Sequence, residues 1–293
     1  MNDFRFHRPG IVGTGRVAQA LARAFAPHAA APPLLWGRTP ENALSAATQA
    51  GAEVASTVDR LTTECDVIAI AVSDDALAAV IAGMAARLAT GHAPFFFHVS
   101  GRSGAAILEP LRATGSTTAA IHPAMTFTGD PLAETQRMAG ARFAVTGATP
   151  EATRQAGHIV TLLGGIPVEI AEERRSLYHA ALCHASNHLV TLIAGAANTL
   201  RDAGVDDPSA LLAPLVRAAL ENSLDHGFAG LSGPLLRGDA QTVSGHLATI
   251  EANSPDLLPA YRAMARATLE ELRRRETTPS ARLTALDSLL AVP

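Results

Sequence analysis

The sequence contains no lysine, so all 23 of its strongly basic residues are arginines. This absence excludes a catalytic lysine, whether as a general acid or as a Schiff-base nucleophile. Cysteine is nearly absent as well, because the chain has only Cys65 and Cys183, which are far apart. Two isolated thiols do not make a disulfide framework, so we expect a reducing, cytoplasmic compartment.

The chain also lacks a marked excess of charge of either sign and lacks long apolar runs. Its formal net charge is −4, and no block of five basic residues occurs, which argues against a nucleic-acid partner. No run of about 18 apolar residues is present, so we expect no membrane span. Hydrophobic residues nevertheless make up 48% of the 293 residues, which is enough for two folded domains.

Short apolar runs alternate with helical patterns in the first part of the chain. The runs predict strands at 8–12, 34–37, 53–55, 66–72, 94–99, 117–121, 141–146 and 166–170. Helices are predicted between most of them, at 17–26, 40–50, 75–88, 104–113 and 150–163. This alternation predicts an α/β fold with a doubly wound, mostly parallel sheet and right-handed crossovers.

The pattern becomes entirely helical after residue 172. Helices are predicted at 176–201, 208–227, 239–252, 256–275 and 281–290, with glycine and proline between them. We therefore predict two domains, an α/β domain over 1–172 and an all-helical domain over 173–293.

A glycine-rich turn joins the first predicted strand to the first helix. Its pattern matches a Rossmann-type dinucleotide site, in which one glycine makes the tight turn, a second admits the diphosphate, and a small third residue packs helix on strand. The helix N-terminus would offer free N–H groups to the phosphates. The predicted cofactor contacts are Gly13, Thr14, Gly15, Arg16 and Val17. A purely structural turn is the alternative.

The second strand ends at Arg38 and Thr39, where an NAD site usually has an acidic residue. A guanidinium matches a 2′-phosphate in charge and geometry, so NADP is the predicted cofactor. The alternative is an ordinary surface arginine. Val72 and Ser73 lie at the end of the fourth strand and are predicted to line the same crevice, although Ser73 could equally cap the next helix.

Candidate catalytic residues follow the later strands at the same sheet edge. Ser100 could hydrogen-bond a reacting carbonyl or imine, and His122 could donate a proton near neutral pH. The alternative for His122 is a loop histidine held by backbone hydrogen bonds. On the long helix, His179 and Asn187 fall on one polar stripe at 100° per residue, and we expect this stripe to face the crevice.

Two further clusters have simpler explanations. His184 and His188 have the spacing of metal ligands but lack the glutamate and the third ligand of a zinc protease, so we predict no metal. Arg237 could hold a substrate carboxylate, or it could pair with Asp239 while that residue caps the next helix.

Together these motifs resemble the Rossmann-like oxidoreductases of the 6-phosphogluconate dehydrogenase type, which include pyrroline-5-carboxylate reductase and ketopantoate reductase. The resemblance is strongest to a bacterial branch whose helical C-terminal domain has no assigned function. It is carried by Gly13–Ala18, Ser100-Gly101, His122-Pro123, Thr126-Phe127, Tyr178–Ala181, Ser186-Asn187, Ser232–Pro234 and Arg237–Asp239. It implies an NADP-linked reduction and a homodimer packed through the helical domain.

The sequence departs from this resemblance at one position. Hydroxyacid dehydrogenases and ketopantoate reductases usually have a catalytic lysine four residues before an asparagine on the interdomain helix, but here Cys183 precedes Asn187 at that distance. Proton delivery would then come from His179, His122, Ser100 or water.

We therefore predict NADPH-dependent reduction of a C=O or C=N bond in a small, carboxylated metabolite. His122 or His179 would supply the proton, while Ser100 and Asn187 would orient the substrate. A non-catalytic NADP-binding sensor or assembly protein is the alternative, and the missing lysine favours it.

Overall fold

The computed structural model describes residues 6–88, 93–275 and 281–291. The chain divides into two compact units after Cys183, at a point inside the longest helix. Each unit has its own apolar core.

The first unit is built on one eight-stranded sheet. The strands are β1 Pro9–Val12, β2 Leu34–Trp36, β3 Glu53–Val54, β4 Val67–Ile70, β5 Phe95–His98, β6 Thr118–Pro123, β7 Arg142–Gly147 and β8 Ile166–Glu169. Their order is β3-β2-β1-β4-β5-β6-β7-β8. All neighbours are parallel except β6 and β7, which are antiparallel. The predicted doubly wound, mostly parallel sheet is confirmed.

The helices of the first unit connect these strands. They are α1 Arg16–Phe25, α2 Pro40–Ala50, α3 Val58–Glu64, α4 Asp74–Ala85, α5 Glu109–Arg112, α6 Pro131–Met138 and α7 Pro150–Leu162, followed by α8 Arg175–Asp202, which continues into the second unit. Two of them, α3 and α6, are absent from the sequence-based prediction. Both are short and present few apolar residues to the core, so they lack a clear helical period.

The sheet is covered on both faces because its central strands are apolar on both sides. Phe96 and Phe97 are adjacent in β5, point to opposite faces, and are both fully buried. Phe97 packs with Phe25 of α1, while Phe96 belongs to the cluster formed with α4 and α5. Pro9 is the first residue of β1, a position that a central strand tolerates.

This strand order places the functional edge of the sheet. The chain leaves β1 toward β2 on one side and returns to β4 on the other, so the two crossovers diverge between β1 and β4. In open α/β sheets, ligands bind outside the carboxyl ends of the strands at such a switch point. The turn after β1 and the ends of β4, β5 and β6 all lie at this edge.

The second unit contains helices only, within the residues that the structure describes. After the end of α8 come α9 Pro208–His226, α10 Pro234–Arg237, α11 Ala240–Asn253, α12 Leu258–Arg275 and α13 Ala281–Ala291. The buried core of this unit joins α11, α12 and α13 through Val243, Leu247, Leu269, Leu283, Leu286 and Leu290.

Helices α8 and α9 instead leave large apolar side chains exposed. Val190 is 69% exposed, Leu215 is 64% exposed and Leu224 is 77% exposed. Among the described helices, the stretch Glu172–Asp202 is long and apolar enough to cross a membrane, by length and composition only. These two properties do not distinguish a membrane span from a helix that packs against other helices.

Candidate active site

The turn between β1 and α1 depends on glycine for its backbone geometry. Gly13 has φ +129°, a conformation that other residues rarely adopt. Its N–H donates a hydrogen bond to the carbonyl oxygen of Trp36 at 2.8 Å. A Cβ at this position would collide with the carbonyl oxygen of Ala71. Glycine at position 13 therefore lets the turn approach the ends of β2 and β4.

The start of α1 presents unpaired N–H groups to open space. Gly15 is the N-cap, no side chain caps the helix, and no acidic residue lies in its first turn. The first N–H groups of a helix have no partner within it. A Cβ at Gly15 would meet no atom within 4 Å. Open space before these groups, at the positive end of a helix, fits a diphosphate.

The other predicted residues of this turn lie around the same helix start. The Thr14 side chain packs so closely on Gly37 that a Cβ on Gly37 would collide with the Thr14 methyl group. Arg16 is exposed, and its Nη1 donates to the carbonyl oxygen of Phe127 at 3.1 Å. Val17 is half-buried. Arg16 therefore connects the first turn of α1 to the loop that follows β6.

A cavity of about 570 Å³ lies beside the end of β2. Trp36, Arg38, Thr57 and Arg87 are among its lining residues. Arg87 pairs with Asp59 at 3.7 Å, whereas Arg38 has no carboxylate within 4.0 Å in the described part of the chain. The exposed Arg38 guanidinium is thus available to an anion, and the size of the cavity is typical of a ligand site.

Two predicted cofactor contacts precede helices at the N-cap position, but their side chains do not bond to the helix backbone. Thr39 precedes α2 and Ser73 precedes α4, and neither side chain makes a capping hydrogen bond. Val72 is half-buried between β4 and Ser73. The structure therefore gives no support to capping as the role of the Ser73 hydroxyl.

The loop after β5 is fixed by a buried histidine that the sequence analysis did not select. His98 is fully buried, with Nε2 2.8 Å from the carbonyl oxygen of Gly104, while its Nδ1 accepts a hydrogen bond from the Ser100 N–H at 3.1 Å. Burial lowers the pKa of His98 to about 4. The ring is therefore neutral and carries its proton on Nε2. Ser100 is held in this loop, and its Oγ accepts from the Ser103 N–H at 3.2 Å.

A buried arginine at the start of α8 is a second residue that the sequence analysis missed. Arg175 is 1% exposed and donates to the carbonyl oxygens of Ser100 at 2.6 Å, Ser103 at 3.0 Å and Ala144 at 3.3 Å. No carboxylate oxygen lies within 4.0 Å of it among the residues described. Arg175 thus ties the β5 loop and β7 to α8 and leaves a positive charge without an ion-pair partner.

His122, Tyr178 and His179 meet above Gly101. His122 Nδ1 is 2.9 Å from the Tyr178 hydroxyl oxygen, and the two rings are nearly perpendicular. The His179 ring centroid lies 6.0 Å from that of His122. A Cβ at Gly101 would crowd both histidine rings. The predicted residues Ser100, His122 and His179 are therefore brought together, and Tyr178 joins them.

Burial keeps the imidazole of His122 neutral. It is the main cause that lowers the pKa of this ring to about 4, and the Arg175 charge and the neighbouring His179 ring lower that pKa further. The Arg175 guanidinium lies 5.7 Å from the centre of the Tyr178 ring. Burial raises the pKa of Tyr178, while the Arg175 charge opposes that rise.

The rest of the helix stripe is less informative. Cys183 Sγ lies 3.6 Å from His179 Nε2, so these residues share a face as the spacing predicts. Asn187 is exposed, lies in the second unit, and its Oδ1 accepts from the Ser186 hydroxyl at 2.9 Å. Its role at the site stays a prediction.

The two further clusters of the sequence analysis have the following geometry. His184 and His188 are exposed, with their Nδ1 atoms 3.1 Å apart, and no group of three candidate metal ligands occurs among the described residues. Asp239 caps α11 by accepting from the Thr242 N–H at 3.0 Å, as the simpler alternative predicted, but the ion pair with Arg237 that it also included is absent within 4.0 Å among the described residues. The substrate role of Arg237 stays a prediction.

Comparisons with known families agree with the two-part architecture. Residues 4–123 match the model of a Rossmann-like domain, and residues 141–268 match a domain of unknown function, DUF2520. No curated protein is detectably similar in sequence.

Solved structures resemble almost the whole chain. A Bacteroides fragilis protein described as an NADP oxidoreductase has a TM-score of 0.74 at 19% identity, covering 91% of this chain and 99% of its own. An imine reductase from Myxococcus stipitatus in complex with NADP+ has a TM-score of 0.65 at 18% identity over 94% and 98%. The Plasmodium falciparum pyrroline carboxylate reductase with NADP bound has a TM-score of 0.59 at 15% identity over 97% and 98%. At these identities the similarity establishes a shared fold.

The lowered pKa of His122 predicts how stability changes with pH. The folded protein keeps this ring neutral down to a pH of about 4, whereas the unfolded chain binds the proton near 6.5. The contribution of His122 to the free energy of unfolding is therefore fully present above pH 6.5. It declines by roughly 2–3 kcal/mol as the pH falls toward 4. Urea unfolding across this range measures it. In His122→Asn the decline should be smaller, while the exposed control His158→Asn should leave it unchanged; equal declines in all three proteins would contradict the assignment.

Proposed function

Since the chain joins a Rossmann-like domain to a DUF2520 domain, we propose that it is an NADP-dependent oxidoreductase. It reduces a C=O or C=N bond in a small, carboxylated metabolite. The observation that carries this proposal is an open, uncapped helix start at Gly15, on the same sheet edge as the cluster of His122, Tyr178 and His179.

The residues at the switch point fit a dinucleotide phosphate. The unpaired N–H groups at the start of α1 bind the diphosphate, and Arg38 binds the 2′-phosphate from the wall of the adjacent cavity. When bound, the reduced nicotinamide supplies a hydride. The NADP named with similarly folded reductases supports this choice of cofactor.

The side chains that follow β5 and β6 orient the substrate and supply the proton that a reduction requires. The Ser100 oxygen already accepts from Ser103, so its own proton is free to hydrogen-bond a substrate carbonyl or imine. His122 and His179 are the candidate proton donors. Asn187 orients the substrate from further along α8. No lysine is required for any of these roles.

A binding protein without catalysis is the second candidate. The complete absence of lysine favours it, because related dehydrogenases use one for proton transfer. Turnover with a substrate panel separates the two functions, since both require NADP binding but only an enzyme oxidises NADPH. Both functions suit a cytoplasmic protein, in keeping with a chain whose two cysteines, Cys65 and Cys183, are far apart in sequence.

We further propose that a second copy of the chain covers the exposed apolar face of α8 and α9. A groove of about 400 Å³ runs between these helices and is lined by Leu189, Leu192, Ile193, Leu212, Leu215 and Leu220, among others. Apolar patches of this kind mark interaction sites. A membrane is a less suitable partner, because the same stretch of α8 carries His184, Asn187 and His188.

Arg38 should set the preference for NADPH over NADH. A charge-assisted hydrogen bond contributes about 1.5–3 kcal/mol, so Arg38→Ala should weaken NADPH binding by about 10- to 100-fold and leave NADH binding unchanged. Nicotinamide fluorescence titration measures both affinities. Arg154→Ala, on the exposed face of α7, is the matched control and should bind like the wild type. Equal wild-type affinity for the two cofactors would remove the role of Arg38.

Turnover tests the catalytic assignment. The wild type should oxidise NADPH with at least one member of a panel of α-keto acids and cyclic imines. His122→Asn and His179→Asn should each lower kcat by about 100-fold without weakening NADPH binding, because general acids contribute at this scale. His158→Asn is the control. Unchanged turnover in both variants would refute these proton donors, and NADPH binding without any turnover would favour the sensor.

The assembly is tested by introducing charge into the exposed apolar face of α8 and α9. The 30.3 kDa chain should sediment as a dimer, and Leu215→Glu or Leu224→Glu should produce monomers. Leu132→Glu, at an equally apolar but separate position that is 52% exposed on α6, should remain dimeric. A wild-type monomer in analytical ultracentrifugation would contradict the proposal.

A further inference from the structure

The chain has two tyrosines, and each is paired with a histidine in the same way. Tyr178 and His122 are 2.9 Å apart between hydroxyl oxygen and Nδ1, and so are Tyr261 and His246. The ring planes cross at 85° in the first pair and at 86° in the second. The second pair lies in the helical unit and serves as an internal reference for the first.

A buried positive charge distinguishes the pair at the candidate site. Arg175 lies 5.7 Å from the centre of the Tyr178 ring, and its hydrogen bonds go to three backbone carbonyl oxygens. Carbonyl groups satisfy its donors without neutralising its charge. In a buried environment such a charge stabilises a nearby anion more strongly than it would in water. The charge is therefore placed to favour the ionised form of Tyr178.

The absence of a side chain on Gly101 lets the second ring nitrogen of His122 lie close to the backbone of the β5 loop. The Nε2 atom lies 2.9 Å from the position that a Cβ on Gly101 would occupy, so any side chain there would crowd it. Nδ1 is engaged by Tyr178 on the other side of the ring. A neutral imidazole can give a proton from one nitrogen while it accepts a proton at the other.

We propose that Tyr178 is the proton source for the reduction and that His122 passes the proton to the substrate. This inference rests on the proposed reductase function. The Nε2–H bond of His122 breaks and an O–H or N–H bond forms on the substrate, whose carbon would receive a hydride from reduced NADP when that cofactor is bound. The O–H bond of Tyr178 breaks and an Nδ1–H bond forms. His122 stays neutral, the phenolate of Tyr178 is stabilised by Arg175, and water later reprotonates it.

Few other charged groups surround the Tyr178–His122 relay, the pair through which the proton passes to the substrate. His179 lies on α8 beside His122, and His98 lies on β5 as a neutral ring. The negative charge of Asp74, at the start of α4, favours a higher pKa of His122, and Asp74 is paired with Arg102 at 3.0 Å. The negative charge of Glu172 favours the charged form of Arg175, and the Glu172 carboxylate accepts a hydrogen bond from the Ala106 N–H. Arg175 is therefore the charge that lies over the tyrosine ring.

Ionisation of Tyr178 can be measured without any substrate. In a Tyr261→Phe protein, Tyr178 is the single tyrosine, so the ultraviolet absorbance of tyrosinate reports it alone. In this background Arg175→Gln should raise the pH at which Tyr178 ionises relative to Arg175→Lys, which keeps the charge. The matching test in a Tyr178→Phe background should show no change for Tyr261. Equal midpoints for the Gln and Lys variants would overturn the proposal.

Turnover provides a second test that does not alter Arg175. Tyr178→Phe keeps the ring and removes the hydroxyl, so kcat should fall by about 100-fold while KM and NADPH binding stay unchanged. The remaining rate should show a smaller solvent deuterium isotope effect, because one proton in flight is lost. Tyr261→Phe should turn over like the wild type. Full activity in Tyr178→Phe would overturn the relay alone, whereas a wild type that binds no NADPH would overturn the proposed function.

Discussion

The candidate site depends on the guanidinium of Arg175, which is buried and has no ion-pair partner among the residues that the structure describes. Its hydrogen bonds fix the carbonyl oxygens of Ser100 and Ser103 after β5 and of Ala144 in β7, while its own backbone begins α8. Three segments that are distant in sequence therefore meet at one side chain. Removing a buried charged donor would leave these carbonyl groups unsatisfied, so the loop and the helix would lose their common anchor.

Burial and, to a smaller extent, the same charge set the protonation states around it. Together with burial it keeps His122 neutral, and it opposes the rise that burial causes in the pKa of Tyr178. A neutral imidazole next to a phenol and a cation suits a site where negative charge develops on the substrate. The glycine turn and Arg38 suit an anionic cofactor for a similar reason, because both present positive potential to open space. In the proposed function, cofactor binding and proton transfer thus rely on two separate positive regions of one sheet edge.

The sequence predicts the sheet well because its strands are short apolar runs between helical segments, and each predicted strand is present within two residues at either end. The turn at Gly13 was predictable because local geometry requires glycine there. The role of Arg175 was not, since the run Glu172–Arg175 reads as a solvated helix start, and only tertiary packing turns one arginine inward. Tyr178 and His122 are 56 residues apart, so their hydrogen bond follows from how α8 meets β6 and not from any local pattern.

A crystal structure of the protein with NADP+ tests the central claim most directly. The account predicts the diphosphate on the N–H groups at the start of α1, the 2′-phosphate on Arg38, and the nicotinamide ring at the ends of β5 and β6, beside His122 and Tyr178. A dinucleotide bound elsewhere would contradict it, as would a nicotinamide ring positioned out of reach of this pair.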